Sequence, residues 1–470
     1  MRLIVFLIFL SFHLSAQNWQ TIGTWNNSVT LLYTDTVSDR LIIGGSFRLV
    51  DEDTMSGVSQ WDGHQLIRMG CGIEWDCSPT DHINNGRRPW DIRRFNNRIF
   101  AVGNFVETSG LQSSGIAYWE NSQWNAIENG LYRNNGSNGL GMGLANIDDE
   151  LFVLGGFDSC SNVFARSVSK FNETEGFSSI GFPNYVDGQS LKCAAKFQGV
   201  SYFAGLFNNA TNLNNGDIWN IVKYENEQWQ PVGQGIRGGM SGVEKMVVFQ
   251  DKLYVAGVMS KAAGAPGNAI ASWDGLQWDD VGGGLYQQAE AHIYDMKVYN
   301  DKLYVVGTFS AAGGIPVNEL AVWDGVNWCR VEMDVQDHLT VIRTIEFYND
   351  TLFLGGAFYD YENNIVTNKL LKRLTPLENV QCGNLTSVEQ LKTEQIILFP
   401  NPTNGLVNLS FVKPVKGEIV LNNLMGQILI NESVKGETTT LDLSNFSSGI
   451  YFLTFVDESG NVATEKLVVE

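Results

Sequence analysis

Between Gly70 and Trp90 the chain gathers residue types suited to holding a ligand. Cys71 and Cys77 bracket Trp75, and Arg87, Arg88 and Trp90 follow, with Arg93, Arg94 and Arg98 just beyond. Guanidinium groups grip carboxylates through paired hydrogen bonds, and tryptophan faces attract cations and stack on flat partners. These residues predict recognition of an acidic or neutral glycan, with Trp75 or Trp90 stacking and Arg87 or Arg88 meeting acidic groups. A disulfide-stapled surface loop is the plainer reading of the same stretch.

Catalytic chemistry has less support. Beyond the first sixteen residues the histidines are His64, His82, His292 and His338. They show no His-Glu-x-x-His or similar ligand spacing, and each reads as a loop or surface residue. Neither a Gly-x-Ser-x-Gly elbow nor a phosphate loop is present. Carboxylates are plentiful, but a glycosidase needs two at a fixed separation, which sequence does not supply. Asp51-Glu52-Asp53 offers oxygen ligands to calcium without the spacing of a known calcium loop, so a solvated acidic loop is expected. No other metal or cofactor is expected, and a non-catalytic binding role is favoured over a hydrolase or lyase.

Six cysteines allow 15 pairings. Nearness in sequence selects Cys71–Cys77. Elimination then gives Cys160–Cys193 and Cys329–Cys382, with buried thiols as the alternative for the long pairs.

Such residues need a scaffold, and repetition supplies it. An apolar stretch ending in glycine recurs at Gly45, Gly103, Gly155, Gly205, Gly257, Gly307 and Gly356, in steps of 58, 52, 50, 52, 50 and 49 residues. Each copy reads as four strands. The clearest has a strand Met296–Tyr299, an Asn300-Asp301 turn, a strand Leu303–Val306, a polar loop, a strand ending at Trp323, an Asp324-Gly325 hairpin turn and a strand carrying Trp328. A period near fifty with four short strands predicts an all-β, seven-bladed β-propeller. Aromatic pairs such as Trp119/Trp124 and Trp273/Trp278 should pack neighbouring blades together. Trp25, Trp75, Trp90 and Trp219 stand outside that pattern and are the aromatic candidates for ligand contact. The seventh copy lacks a fourth strand, and Trp19-Gln-Thr-Ile-Gly23 matches it, so an N-terminal strand should close the last blade and remove an open edge. Tight turns share one face of such a ring, and the long loops, Gly70–Trp90 among them, share the other.

The net charge of −20 argues against nucleic acid or an anionic membrane as partner. Residues 1–16 read as a secretory signal, cleaved between Ala16 and Gln17. No other stretch is long and apolar enough for a membrane helix. The propeller is expected over 17–376, a polar linker over 377–395 and a small β-sandwich of about six strands over 396–470.

The repeat resembles the kelch and galactose-oxidase-like propellers in its strand glycines and aromatic hairpins. The double glycine survives at Gly44-Gly45, Gly155-Gly156 and Gly355-Gly356 only, and the copper set of galactose oxidase has no residue-by-residue counterpart. The tail resembles the type A C-terminal sorting domain of the type IX secretion system of Bacteroidetes. The matching residues are Pro400, Asn401, Pro402 and Gly405, then Gly426, Gly449 and Tyr451, and finally Lys466 and Leu467. That resemblance implies export to the periplasm, engagement of the type IX machinery, and release or attachment at the cell surface. The propeller would there meet an extracellular glycan or a surface protein.

Overall fold

The computed structural model describes residues 19–70, 72–73, 87–182, 190–208, 219–238, 242–287, 290–331, 341–357, 369–374, 380–382, 396–423, 427–457 and 462–470. Ala16, Gln17, Cys71, Trp75, Cys77 and Gly426 lie outside the described residues. The chain divides into two compact units, 1–383 and 384–470. No helix among the described residues is long and apolar enough to cross a membrane.

The first unit is a succession of antiparallel sheets, propeller-like and all β. One sheet runs Val29–Asp35, Arg40–Gly45, Val58–Trp61, Leu66–Arg68, and the same order of four strands recurs down the chain. The first strands of successive sheets are Val29–Asp35, Pro89–Phe95, Leu140–Ile147, Ser190–Phe197, Gly242–Phe249, His292–Tyr299 and Val341–Tyr348. Each lies against the next, and the last lies against the first. The final sheet takes its fourth strand from the N-terminal side: Trp19–Thr21 pairs with Leu370–Arg373, Trp19 opposite Arg373.

Local chemistry sets the hairpins. Asn300 and Asp301 adopt φ of 45° and 52° between the paired Tyr299 and Lys302. Consecutive positive φ in a two-residue turn matches the right-handed twist of the flanking strands. The Asp-Gly hairpins differ from a two-residue turn. Trp323 pairs with Trp328, leaving four residues in the loop, and only Gly325 of its Asp-Gly pair has positive φ, at 101°. Asp324 Oδ1 accepts from the Val326 and Asn327 amides at 2.8 and 2.6 Å, so the side chain holds the loop.

The aromatic pairs of these hairpins are cross-strand neighbours, with ring centroids 5.5 Å apart for Trp119/Trp124 and 5.1 Å for Trp273/Trp278. The second tryptophan also reaches the preceding sheet. Trp124, Trp229, Trp278 and Trp328 donate their indole N–H to the carbonyls of Met69, Ile180, Val232 and Val281, at 2.9 to 3.2 Å. Such an acceptor satisfies the polar tip of a largely apolar side chain, which favours tryptophan at these four positions. Trp25 is no platform for a ligand: it is buried, stands edge-on to Phe47 and donates to the Ile22 carbonyl.

The cysteines divide differently from the elimination. Cys329 and Cys382 form a disulfide, and Gln381–Cys382 adds a fifth strand beside Trp328–Arg330, inside the segment expected to be linker. Cys160 and Cys193 are free thiols. Cys160 is buried in a short hairpin against Leu131, whereas Cys193 sits in the first strand of the next sheet, so their elements pack in separate clusters. Burial pushes both thiols up to about 12.

The second unit is a five-stranded antiparallel sheet. In place of the expected sandwich of about six short strands, the sheet has two long strands, Leu406–Asn423 and Ile428–Asp442, paired with a register break between Ser410 and Val415. Val407, Leu409, Leu421, Leu453 and Leu467 lie in its core. Asn401 clasps the last strand: its Oδ1 accepts from the Val468 amide at 2.9 Å and its Nδ2 donates to the Lys466 carbonyl at 2.7 Å. The Gly405 carbonyl accepts from the Leu443 amide at 2.6 Å. Gly449 opens the strand that pairs with the terminal one, and the Tyr451 hydroxyl donates to the Ser447 carbonyl.

Candidate functional site

The recurring glycines have a specific structural task. A Cβ on Gly103 would lie 2.1 Å from the Arg88 carbonyl, on Gly307 2.2 Å from that of His292, and on Gly356 2.2 Å from that of Val341. Gly45, Gly155, Gly205 and Gly257 meet the corresponding carbonyls of Ser28, Leu140, Ser190 and Gly242 at 2.0 to 2.2 Å. Only glycine admits so close a backbone approach.

Just beyond each contact the first strand carries a bulge. The register skips one residue in every copy: Thr30, Trp90, Met142, Lys192, Glu244, Tyr294 and Arg343. A bulge re-aims the residue it frees from the ladder. All are half-buried and stand at the end where the first strands enter from the long loops.

Four of them, Lys192, Glu244, Tyr294 and Arg343, make contacts along a rim. Lys192 pairs with Glu244, and His292 Nε2 lies 3.8 Å from the same carboxylate. The His292 and Tyr294 rings are 4.2 Å apart, and the Arg343 guanidinium sits 4.1 Å from the Tyr294 centroid. Arg88 lies near enough to Arg343 for the two charges to interact, and its Nη1 donates to Ser46 Oγ at 3.1 Å. Burial first, and then the Arg343 charge, push the Arg88 guanidinium below its ordinary value. Burial pushes the Glu244 carboxyl up, but His292 and Lys192 together outweigh it and hold the group below its usual range.

One step further in, polar side chains join the sheets rather than face a ligand. Asp91 accepts from the Ile92 and Leu144 amides at 2.9 and 2.8 Å. Asp295 accepts from Thr344 Oγ1 and from the Met296 and Ile345 amides, with Lys245 Nζ 3.5 Å away. Thr344 Oγ1 in turn accepts from the Leu32 amide at 3.1 Å. These carboxylates are committed to holding neighbouring first strands in register.

The rim therefore contains Arg88 and Trp90 of the residues singled out from sequence. Arg87 precedes Arg88 and is half-buried, and among the described residues no contact of its side chain joins it to the rim. His292, read as a surface residue, is half-buried at the rim, and Tyr294 and Arg343 carried no sequence signal of their own. They belong to repeats about fifty residues apart, and only the bulge register unites them. The acidic run is engaged internally: Asp51 Oδ1 accepts from the Thr24 amide at 2.7 Å, and Asp53 pairs with Arg68 at 3.0 Å.

Fold and tail together define an extracellular, propeller-like β protein carrying a secretion signal at its C-terminal end. Residues 397–470 match the family model of the secretion system C-terminal sorting domain. The chain is thus cargo of the type IX system, secreted across the outer membrane to the cell surface or the extracellular space. Among curated proteins it is similar to a funoran endo-beta-hydrolase of Wenyingzhuangia aestuarii, 27% identical over 94 residues, 20% of this chain and 13% of that protein. Among solved structures it resembles PorZ, a surface component of the type IX secretion system of Porphyromonas gingivalis, at 10% identity and TM-score 0.45, covering 94% of this chain and 59% of that one. A second is the extracellular domain of a hybrid two component system from B. thetaiotaomicron, at 11% identity and TM-score 0.46, covering 94% and 56%. A third is a fungal alcohol oxidase of the AA5 family, at 13% identity and TM-score 0.37, covering 95% and 99%. The chain spans little more than half the length of the first two structures and a small part of the curated relative.

Proposed function

We propose that the first unit is a seven-bladed, kelch-type propeller that binds an extracellular glycan at the rim of bulged residues, without catalysing its conversion. The first sixteen residues would direct export and the tail would engage the type IX machinery. The observation that carries the reading is the convergence of Trp90, Tyr294, Arg88 and Arg343 at one end of the first strands. Aromatic faces beside guanidinium groups suit sugar rings bearing polar or acidic substituents. Inertness is supported by three carboxylates among the described residues at this end of the first strands. A glycosidase acid needs a raised pKa, whereas Glu244 is held low, and Asp91 and Asp295 are occupied by backbone amides. The neutral thiol of Cys193 is a poor nucleophile.

The match to a hydrolase favours a second reading, a carbohydrate-active enzyme on the same scaffold. One screen separates the two. The full chain is titrated with a polysaccharide panel, with and without calcium, while released reducing ends are measured. Saturable binding without products, weakened in Trp90→Ala, is expected. Product formation would replace the binding role with catalysis. Absence of both would leave a surface protein as the partner class.

A further inference from the structure

The rim is uneven in charge. On one side Lys192 and Glu244 neutralise each other. On the opposite arc, spanning the last sheet and the first two, stand Arg343, Thr30, Arg88 and Trp90. Among the described residues no carboxylate lies in ion-pair range of Arg88 or Arg343, although the chain carries a net charge of −20. Arg343 is held by its contact with the Tyr294 ring, and Arg88 by a neutral hydroxyl.

Three buried polar atoms on this arc have no hydrogen-bond partner among the described residues: Thr30 Oγ1, Arg88 Nε and Trp90 Nε1. Each can donate a proton. A buried donor without an acceptor is destabilising unless something supplies the oxygen. Two like charges close enough to interact also repel each other, and among the described residues no carboxylate offsets them. Such an arc has one chemical complement, a group that is both anionic and rich in acceptors.

We propose that Thr30, Arg88, Trp90 and Arg343 form an oxyanion site, receiving the carboxylate or sulfate of an acidic sugar. The proposal rests on the glycan reading for the source of the anion, but not for the anion itself. The two guanidinium groups take the charge, the threonine hydroxyl and indole N–H donate to remaining oxygens, and the tryptophan face flanks the sugar ring. A neutral glycan would leave the arginines uncompensated and should be discriminated against.

The test uses the full chain and four probes: inorganic sulfate, polygalacturonate, a sulfated galactan and the same galactan after desulfation. Calorimetric titration at low salt should show binding of sulfate and of at least one acidic polymer, lost as sodium chloride is raised. Polygalacturonate and the sulfated galactan distinguish carboxylate from sulfate as the source. Arg343→Gln, which leaves the buried Arg88 in place, should weaken the acidic polymer about ten- to a hundredfold, the effect of losing one charge-assisted hydrogen bond. Its melting temperature should match the parent, which separates lost binding from lost fold. Equal binding of sulfated and desulfated galactan, unchanged in Arg343→Gln, would overturn the oxyanion site while leaving the glycan reading intact. Arg343-dependent binding of inorganic sulfate with no polymer bound would keep the site and remove the glycan reading. No binding of any probe would overturn both.

Discussion

At the scale of single residues, buried ion pairs join the sheets. Arg94 grips Asp35 of the preceding sheet through two hydrogen bonds of 2.6 Å, and the carboxylate is almost wholly buried. Burial pushes the Asp35 carboxyl up, but Arg94 and the Ser38 hydroxyl outweigh it and hold the group below its ordinary value. A depressed folded-state pKa contributes stability that is complete above the unfolded value, about 3.9, and disappears as pH falls through the folded one. Asp35→Asn should therefore reduce stability at pH 7, by about 3 kcal/mol for a broken buried pair, and the gap to the parent should narrow as pH falls below about 4. Melting curves from pH 7 to pH 2.5 check both the size and the sign. Asp295 acts likewise, because its attraction is the main reason the half-buried Lys245 holds its proton more strongly than usual. Removing the carboxylate by Asp295→Ala would leave the Thr344 and Ile345 donors without their acceptor, a loss of about 1–3 kcal/mol measurable by denaturant titration.

At the scale of elements, one glycine in each second strand shapes one bulge in each first strand. Gly307→Ala places a methyl group where the His292 carbonyl already lies, so the strand must move. A loss of about 1–3 kcal/mol is expected, as for an overpacked core, together with weakened ligand binding, because Tyr294 and His292 shift with the strand. Equal stability and binding would show that the close approach is not required. The bulge also explains what was legible in the chain. Alternation of apolar and polar residues revealed Met296–Tyr299 as strand, yet the strand begins at His292. An extra residue breaks the period of two, so the half of the strand before the bulge does not look like strand. The rim residues lie in that half. Glycine spacing was plain in the sequence, whereas its consequence, seven side chains brought to one rim from distant repeats, needed the pairing register. The disulfide of Cys329 with Cys382 followed from counting, but the pairing of Cys160 with Cys193 failed because counting ignores which sheet each thiol occupies.

At the scale of the whole molecule, closure is the governing feature of the first unit. Trp19 and Ile22 are buried where the N-terminal strand completes the last sheet. Deleting Trp19–Gly23 should lose about 3–6 kcal/mol, the burial of two large side chains, and expose a sheet edge. Lower melting and concentration-dependent association in light scattering would report this; unchanged melting would mean that closure contributes little. Farther along, the disulfide closes a span of 53 residues, for which loop entropy gives about 4 kcal/mol. A reducing agent should lower melting of the parent by more than that of Cys329→Ser. The sorting domain provides delivery, and the proposed ligand recognition is assigned to the rim of the first unit. Hydrogen exchange on the full chain, with and without a polysaccharide that binds, tests that assignment most directly. Protection is expected at the starts of the first strands, around Thr30, Trp90, Tyr294 and Arg343. Protection confined to the tight-turn face around Asn300 and Asp324, or to residues 396–470, would contradict it.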